Sequence, residues 1–149
     1  MNFNFDENEA VDQICSKVVE TFEIDLKNDN ISNILGRMGF ELRSNYLSEE
    51  TSSIIYYNPT GKVPEFNTGL GMVINKRFFD LTDNDLDNVI ILRDAVRFIL
   101  RSQLTQSRTS VSTRTIYEEE PSYKVAQSLL NQMLEPKKTN KKIIKMFVK

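Results

Sequence analysis

Histidine is absent from this chain of 149 residues. Without it, a protein cannot form a Ser-His-Asp triad, a Cys-His nucleophile pair or a His-Glu-x-x-His zinc site, and it has no imidazole general base. Much hydrolytic chemistry is therefore excluded. Any acid–base catalysis would have to come from Asp, Glu, Lys or Tyr side chains.

Cysteine is nearly absent. Cys15 is the only one, so no internal disulfide can form. Cys15 lies between Ile14 and Val18 on an apolar helical stripe, so we expect a small buried side chain rather than a nucleophile. The chain shows no secretory leader, and no apolar stretch approaches the roughly 20 residues that span a bilayer. We therefore expect a soluble, cytoplasmic protein that makes no contact with a membrane.

The charged and apolar fractions, 27% and 40%, fit one globular domain. Charge is unevenly distributed: residues 1–30 hold eight acidic side chains and two lysines, whereas the last thirteen residues hold lysines and no acid. We predict a single domain over residues 1–136 and a basic C-terminal tail over residues 137–149. Its candidate nucleic-acid-binding residues are Lys137, Lys138, Lys141, Lys142 and Lys145, and charge alone predicts weak affinity.

The spacing of apolar residues predicts an α+β fold. Intervals of three and four predict helices over residues 9–22, 31–38, 82–104 and 121–136, and the third should be buried on most of its circumference. Alternating and β-branched residues predict a short three-stranded sheet from residues 40–46, 53–57 and 71–75. The Ser/Thr-rich residues 105–116 indicate a long loop or an irregular strand, and residues after Pro136 a short helix or a frayed end.

Capping residues support three helix boundaries. Asn30 is a suitable N-cap for the second helix, and Gly39 is a natural residue for its end. Thr82, followed three residues later by Asp85, is similar to a capping box at the start of the long helix. We interpret Tyr46, Tyr56 and Tyr57 as core residues of the strands rather than as an exposed recognition surface.

Three segments occur in an order that resembles one known family. Residues 125–136 read VAQSLLNQMLEP, residues 71–75 read GMVIN, and residues 34–42 end a helix at Gly39 before a strand. These segments resemble the Glu-Ala-Asn-x-Phe-Ala-x-x-Leu-Leu-Met-Pro segment, the I-x-I-N strand and the early helix end of the ImmA/IrrE metallopeptidase-like family. The resemblance covers most of the chain. It implies a small zincin-like domain with N-terminal helices, a short sheet, a long buried helix and C-terminal helices.

The zinc-binding motif of that family is lost in this chain. Aligned with the family's zinc helix, Arg93 and Arg97 stand at the two histidine positions, and Val125 stands at the third ligand. A guanidinium group is always charged and has no lone pair to donate, so neither arginine can bind zinc. We therefore expect no cofactor, no bound metal and no catalytic residue.

The resemblance implies a pseudoenzyme whose remnant cleft binds another protein. Because family members commonly act on helix-turn-helix repressors and are often encoded by phages and other mobile elements, it implies a repressor or host factor as the partner, and an oligomeric state is left open. The candidate cleft residues are Arg93, Asp94, Arg97, Arg101, Glu118, Glu119 and Glu120.

Two interpretations of these cleft residues remain open. Arg93 and Arg97 are one helical turn apart, so they repel each other unless an anion lies nearby. They form either an open site for an anion or carboxylate, or a structural network with Asp94 and one of Glu118, Glu119 and Glu120. We favour the structural network.

Two other functions compete with protein binding. The first is a nucleic-acid-associated regulator that acts through the lysine-rich tail. The second is an enzyme whose acid and base come from Asp, Glu, Lys or Tyr, but no carboxylate pair at a suitable spacing supports it.

Overall fold

The computed structural model describes residues 9–81, 86–101 and 105–133. The helices are α1 (Val11–Thr21), α2 (Ile31–Arg37), α3 (Val89–Arg101) and α4 (residues 121–133), and the strands are β1 (Glu41–Asn45), β2 (Thr51–Tyr57), β3 (Leu70–Asn75) and β4 (Arg108–Thr113). A short 3-10 turn at Leu86–Asn88 leads into α3. The α+β class is confirmed.

The four strands form one mixed sheet in the order β1-β3-β2-β4. β1 runs parallel to β3, whereas β2 is antiparallel to both β3 and β4. Among the described strands, β1 and β4 are therefore the two edges of the sheet. The prediction of three strands was wrong, because β4 forms within the Ser/Thr-rich segment whose sequence indicates a long loop or an irregular strand. Its only apolar residue is Val111, so the strand lacks alternation, and pairing with β2 decides its conformation.

One hydrophobic core lies between the sheet and the helices. The side chains with which the sheet faces the core include those of Ile55 and Met72, which are paired in register. Helix α3 packs against β2, and its Phe98 ring lies 6.1 Å from the rings of both Phe40 and Tyr57. Ten of the thirteen residues of α3 are buried, as its two apolar sides predicted.

The predicted ends of the helices can be compared only where the residues are described. Asn30 caps α2 reciprocally with Asn33, and Gly39 follows the helix with φ 99°, a left-handed conformation that glycine adopts readily. The long helix is shorter than predicted, because residues 86–88 form a 3-10 turn. The Thr82–Asp85 capping box, the end of that helix at Leu104, Pro136 and the basic tail lie outside the described residues.

Cys15 and the three tyrosines were predicted to lie in the core, and the structure agrees for some of them only. Cys15 is buried, and its Sγ lies 3.7 Å from the carbonyl oxygen of Val125 on α4. Tyr56 and Tyr57 are half-buried. The prediction for Tyr46 was wrong, since 62% of this residue is exposed beyond the end of β1. Among the described residues, no helix combines the length and apolar character needed to cross a bilayer.

Candidate functional site

Arg93 and Asp94 form an ion pair in the interior of the domain. Both residues come from α3, and their side chains are completely buried. The Arg93 Nη2 donates to Asp94 Oδ1 at 2.7 Å and to the carbonyl oxygen of Thr113 at 2.6 Å, and its Nη1 donates to the carbonyl oxygen of Thr115 at 2.8 Å. The guanidinium therefore ties α3 to the end of β4 and to the segment that follows it.

Two neighbouring serines of β2 bind the other oxygen of Asp94. Ser52 and Ser53 both donate their hydroxyl groups to Oδ2, the latter at 2.8 Å. Consecutive side chains of a regular strand point to opposite faces, but the pairing of β2 with β4 is irregular between Thr51 and Ser53. We infer that this irregularity lets both serines reach the same carboxylate.

The burial of Asp94 opposes its ionisation. Burial raises the pKa of Asp94, and the charge of Arg93 together with hydrogen bonds from Ser52, Ser53 and Arg93 offsets part of that increase. Hydrogen bonds from three side chains hold the Asp94 carboxylate in place. Neither Arg93 nor Asp94 has any surface available to a partner in this structure.

Arg97, one turn further along α3, pairs with Glu120 just before α4. Its Nη2 donates to Glu120 Oε2 at 2.7 Å and its Nε donates to Oε1, so the contact is bidentate. Arg97 retains 21% exposure and Glu120 retains 9%. Arg101 approaches the same carboxylate at 3.9 Å, and Ser122 donates to it at 3.0 Å.

These contacts change the acidity of both partners. The hydrogen bond to Glu120 raises the pKa of Arg97 further. Burial alone would raise the pKa of Glu120, but the hydrogen bond and charge of Arg97 outweigh it, so the pKa lies below its usual value. The pair is therefore ionised at neutral pH.

The structure joins only one member of the Glu118–Glu120 run to the arginines. Glu119 pairs with Lys124 at 3.0 Å on the surface, and Glu118 is exposed without an ion pair to any described residue. Arg93 pairs with Asp94 and Arg97 pairs with Glu120, whereas the sequence did not specify which acid each arginine would bind. Of the predicted cleft residues, Arg101, Glu118 and Glu119 are exposed, while Arg97 and Glu120 are only partly accessible.

A concave surface that encloses a volume of about 420 Å³ lies beside the Arg97–Glu120 pair. It is lined by Arg97, Arg101, Thr113, Tyr117, Glu120 and Pro121. Tyr117 lies at this surface with 65% of the residue exposed. Val125, which corresponds to the third zinc ligand in the resemblance, is fully buried in the core. Within the described ranges, no group of three Cys, Asp or Glu side chains is arranged to hold a metal ion.

Sequence reasoning missed three exposed apolar residues in and after β4, of which Tyr117 lines this concave surface. Val111, Ile116 and Tyr117 are exposed by 62%, 42% and 65% respectively. The sequence did offer a signal: these residues lie in a polar stretch without regular apolar spacing, so no face of a helix or strand would bury them together.

The candidate tail residues Lys137, Lys138, Lys141, Lys142 and Lys145 lie outside the described residues. Searches of protein-family models, curated proteins and solved structures found no match to the chain.

Proposed function

We propose that this chain is a non-catalytic interaction protein that binds another protein at the outer edge of β4. We call the binding region the β4-edge surface and define it by Val111, Ile116 and Tyr117 together with Arg101 and the Arg97–Glu120 pair. The partner contributes an extended segment that carries an acidic side chain. The position and chemistry of these residues support the proposal in three ways.

The observation that carries the proposal is the concentration of exposed apolar side chains. Four large hydrophobic residues are exposed in the described part of the chain, and three of them lie in β4 or just after it: Val111, Ile116 and Tyr117. Tyrosine and arginine side chains dominate the binding energy of many protein interfaces, and here they lie beside a concavity. Leaving these apolar groups in water is unfavourable, so covering them with a partner would contribute to binding.

The second support is the edge of β4 between Arg108 and Arg114. Within the described residues β4 pairs only with β2, and residues 109–113 contain neither charge nor proline. Charged residues and prolines normally protect sheet edges against pairing with another strand. An extended segment can therefore add to β4 through main-chain hydrogen bonds.

The third support concerns charge. The residues that line the concavity include two arginines and one glutamate, so positively charged side chains outnumber negatively charged ones in its lining. A second copy of β4 is less suitable, because antiparallel pairing centred on Val111 would place Arg108 opposite the other copy's Arg114. Like charges directly opposite each other destabilise strand pairs.

The class of partner rests on the family resemblance. That resemblance implies a repressor or a host regulatory protein, in a phage or mobile-element setting, and the inference is an analogy between folds. Arg93 and Asp94 are outside the proposed interface because they are buried. Their substitution would act on stability rather than on direct contact.

Affinity capture from the native host, followed by mass spectrometry, tests the proposal. Nuclease-treated lysate is passed over the wild-type protein and over the Tyr117→Ala, Val111→Lys and Tyr46→Ala variants. We expect one protein to be enriched by wild type and by Tyr46→Ala, which removes an equally exposed aromatic ring elsewhere. Tyr117→Ala and Val111→Lys should capture at least tenfold less of it.

Titration of that protein in purified form against the same variants then measures the affinity. A loss of at least tenfold, about 1.4 kcal/mol, in both edge variants supports the interface. Unchanged affinity in both variants, with unfolding curves that show them to be folded, would disprove it. Capture from untreated lysate that is dominated by nucleic acid, with no protein enriched after nuclease treatment, would instead favour a nucleic-acid-associated regulator.

A further inference from the structure

Five residues form a cationic and aromatic surface where β3 ends. We call it the Tyr46 cluster and define it by Tyr46, Lys76, Arg77, Phe78 and Arg114. The Lys76 Nζ and the Arg77 Cζ each lie 5.5 Å from the centre of the Tyr46 ring. The Arg114 Cζ lies 3.6 Å from the centre of the Phe78 ring. The three cations and the Tyr46 ring are all exposed.

A buried amide holds the backbone of this surface in place. The Asn75 Nδ2 donates to the carbonyl oxygens of Ser48 and Thr51 at 2.9 and 2.8 Å, and its Oδ1 accepts from the backbone amides of Leu47 and Arg77 at 3.3 and 3.1 Å. The Arg77 Nε also donates to the carbonyl oxygen of Leu47 at 2.8 Å. The segments that carry Tyr46 and Arg77 are thus connected before any ligand binds, which lowers the entropic cost of binding.

The cations of the cluster differ from several arginines elsewhere in the domain, whose charge is balanced by an ion pair. Arg37, Arg43 and Arg97 each form an ion pair with a carboxylate. Lys76, Arg77 and Arg114 form none with any described residue. Glu49 and Glu50 in the β1–β2 turn are exposed, and the backbone carbonyl of Glu50 accepts a hydrogen bond from the Arg114 amide.

We propose that the Tyr46 cluster binds single-stranded nucleic acid, with its cations on the phosphates and the Tyr46 ring against a base. Surfaces of this kind combine a cationic track for the backbone with exposed aromatic rings on which bases stack. An acidic protein segment would use the cations but would leave the ring without a stacking partner. A duplex is less suitable, because the cluster lies on turns and presents no helix to a major groove.

The cluster shares no residue with the β4-edge surface, although Arg114 lies between Val111 and Ile116 in sequence. Its other four residues come from the segments that follow β1 and β3. It also differs from the basic tail, so the two candidate nucleic-acid sites of this chain can be tested independently by substitution in the full-length protein.

Fluorescence anisotropy with fluorescein-labelled 15-nucleotide oligo(dT) and oligo(U) tests the proposal over 20–200 mM salt. For three phosphate contacts, we expect the logarithm of the binding constant to fall with the logarithm of salt concentration with a slope of about −2. The Lys76→Ala/Arg77→Ala double variant should bind at least tenfold more weakly at 20 mM salt. Its slope should be shallower by about 1.4, since two contacts are lost.

A stacking role for Tyr46 gives a different result. Tyr46→Leu should weaken binding about fivefold or more and leave the salt slope unchanged, because it removes a ring and no charge. The matched control is Lys27→Ala/Lys62→Ala, which removes two exposed lysines outside the cluster. This control should retain wild-type affinity. Unfolding curves for every variant separate lost binding from lost folding.

Several outcomes would overturn the proposal. The wild-type protein could fail to bind either oligonucleotide at 20 mM salt. Binding could survive Lys76→Ala/Arg77→Ala and disappear in Lys141→Ala/Lys142→Ala, which would assign it to the tail. Polyglutamate could compete as well as unlabelled oligonucleotide while Tyr46→Leu binds normally, which would assign the cluster to an acidic protein.

Discussion

Arg97 and Glu120 hold the start of α4 against α3 through a bidentate ion pair across 23 residues of sequence. Glu120 directly precedes Pro121, the first residue of α4, and its backbone carbonyl accepts a hydrogen bond from the Lys124 amide. A carboxylate at this end of a helix also interacts favourably with the helix dipole. Glu120 therefore stabilises both the first turn of α4 and its packing against α3.

Replacing Arg97 with methionine should lower the free energy of unfolding by about 1–3 kcal/mol, because Glu120 would remain largely buried without its main partner. Urea unfolding measures this change. The matched control is Lys124→Met, whose partner Glu119 is 93% exposed, and it should change stability by less than about 0.5 kcal/mol. Equal losses in the two variants would contradict a structural role for the Arg97 pair.

The stability provided by Glu120 should depend on pH in one direction. Its pKa is lower in the folded state, so its contribution is present above the usual glutamate pKa of about 4.3 and is lost as pH falls through the folded value. Unfolding free energies of the wild-type protein and Glu120→Gln, measured between pH 6 and pH 3, isolate this group. The difference between them should shrink on acidification. A constant or growing difference would disagree with the lowered pKa.

Asp94→Asn should destabilise the protein more strongly, by about 3–5 kcal/mol, because it leaves the fully buried Arg93 without a counter-charge. If that variant fails to fold, Ser53→Ala offers a milder test. It removes one of the two serine hydrogen bonds and should cost about 1.5–3 kcal/mol. Denaturant curves close to wild type for both variants would show that the buried network contributes little.

Gly71 and Gly36 should respond to alanine in opposite directions. A Cβ atom on Gly71 would lie 2.5 Å from ring atoms of Phe66, so Gly71→Ala should destabilise the protein by about 1–3 kcal/mol unless the ring moves. A Cβ atom on Gly36 meets nothing within 4 Å in α2, so Gly36→Ala should stabilise it by about 0.5–1 kcal/mol. Thermal unfolding of both variants checks the signs, and a stabilised Gly71→Ala would contradict close packing of Phe66.

Local patterns were sufficient for the elements that bury an apolar stripe. The spacing of Ile14 and Val18 predicted α1, and the cap Asn30 with the breaker Gly39 predicted α2. The buried character of α3 followed from its two apolar sides. These features depend on residues within four positions of one another, so they can be read without knowing the fold.

The sequence by itself determined the lack of imidazole chemistry, the amphipathic helices and the choice of acids and arginines that could pair. Only the tertiary structure decided that β4 joins the sheet, that Glu120 rather than Glu118 or Glu119 binds Arg97, and that Tyr46 is exposed beside Lys76. Each of these depends on groups distant in sequence. Three adjacent glutamates differ little in local preference, so their contacts are set by where α4 docks on α3.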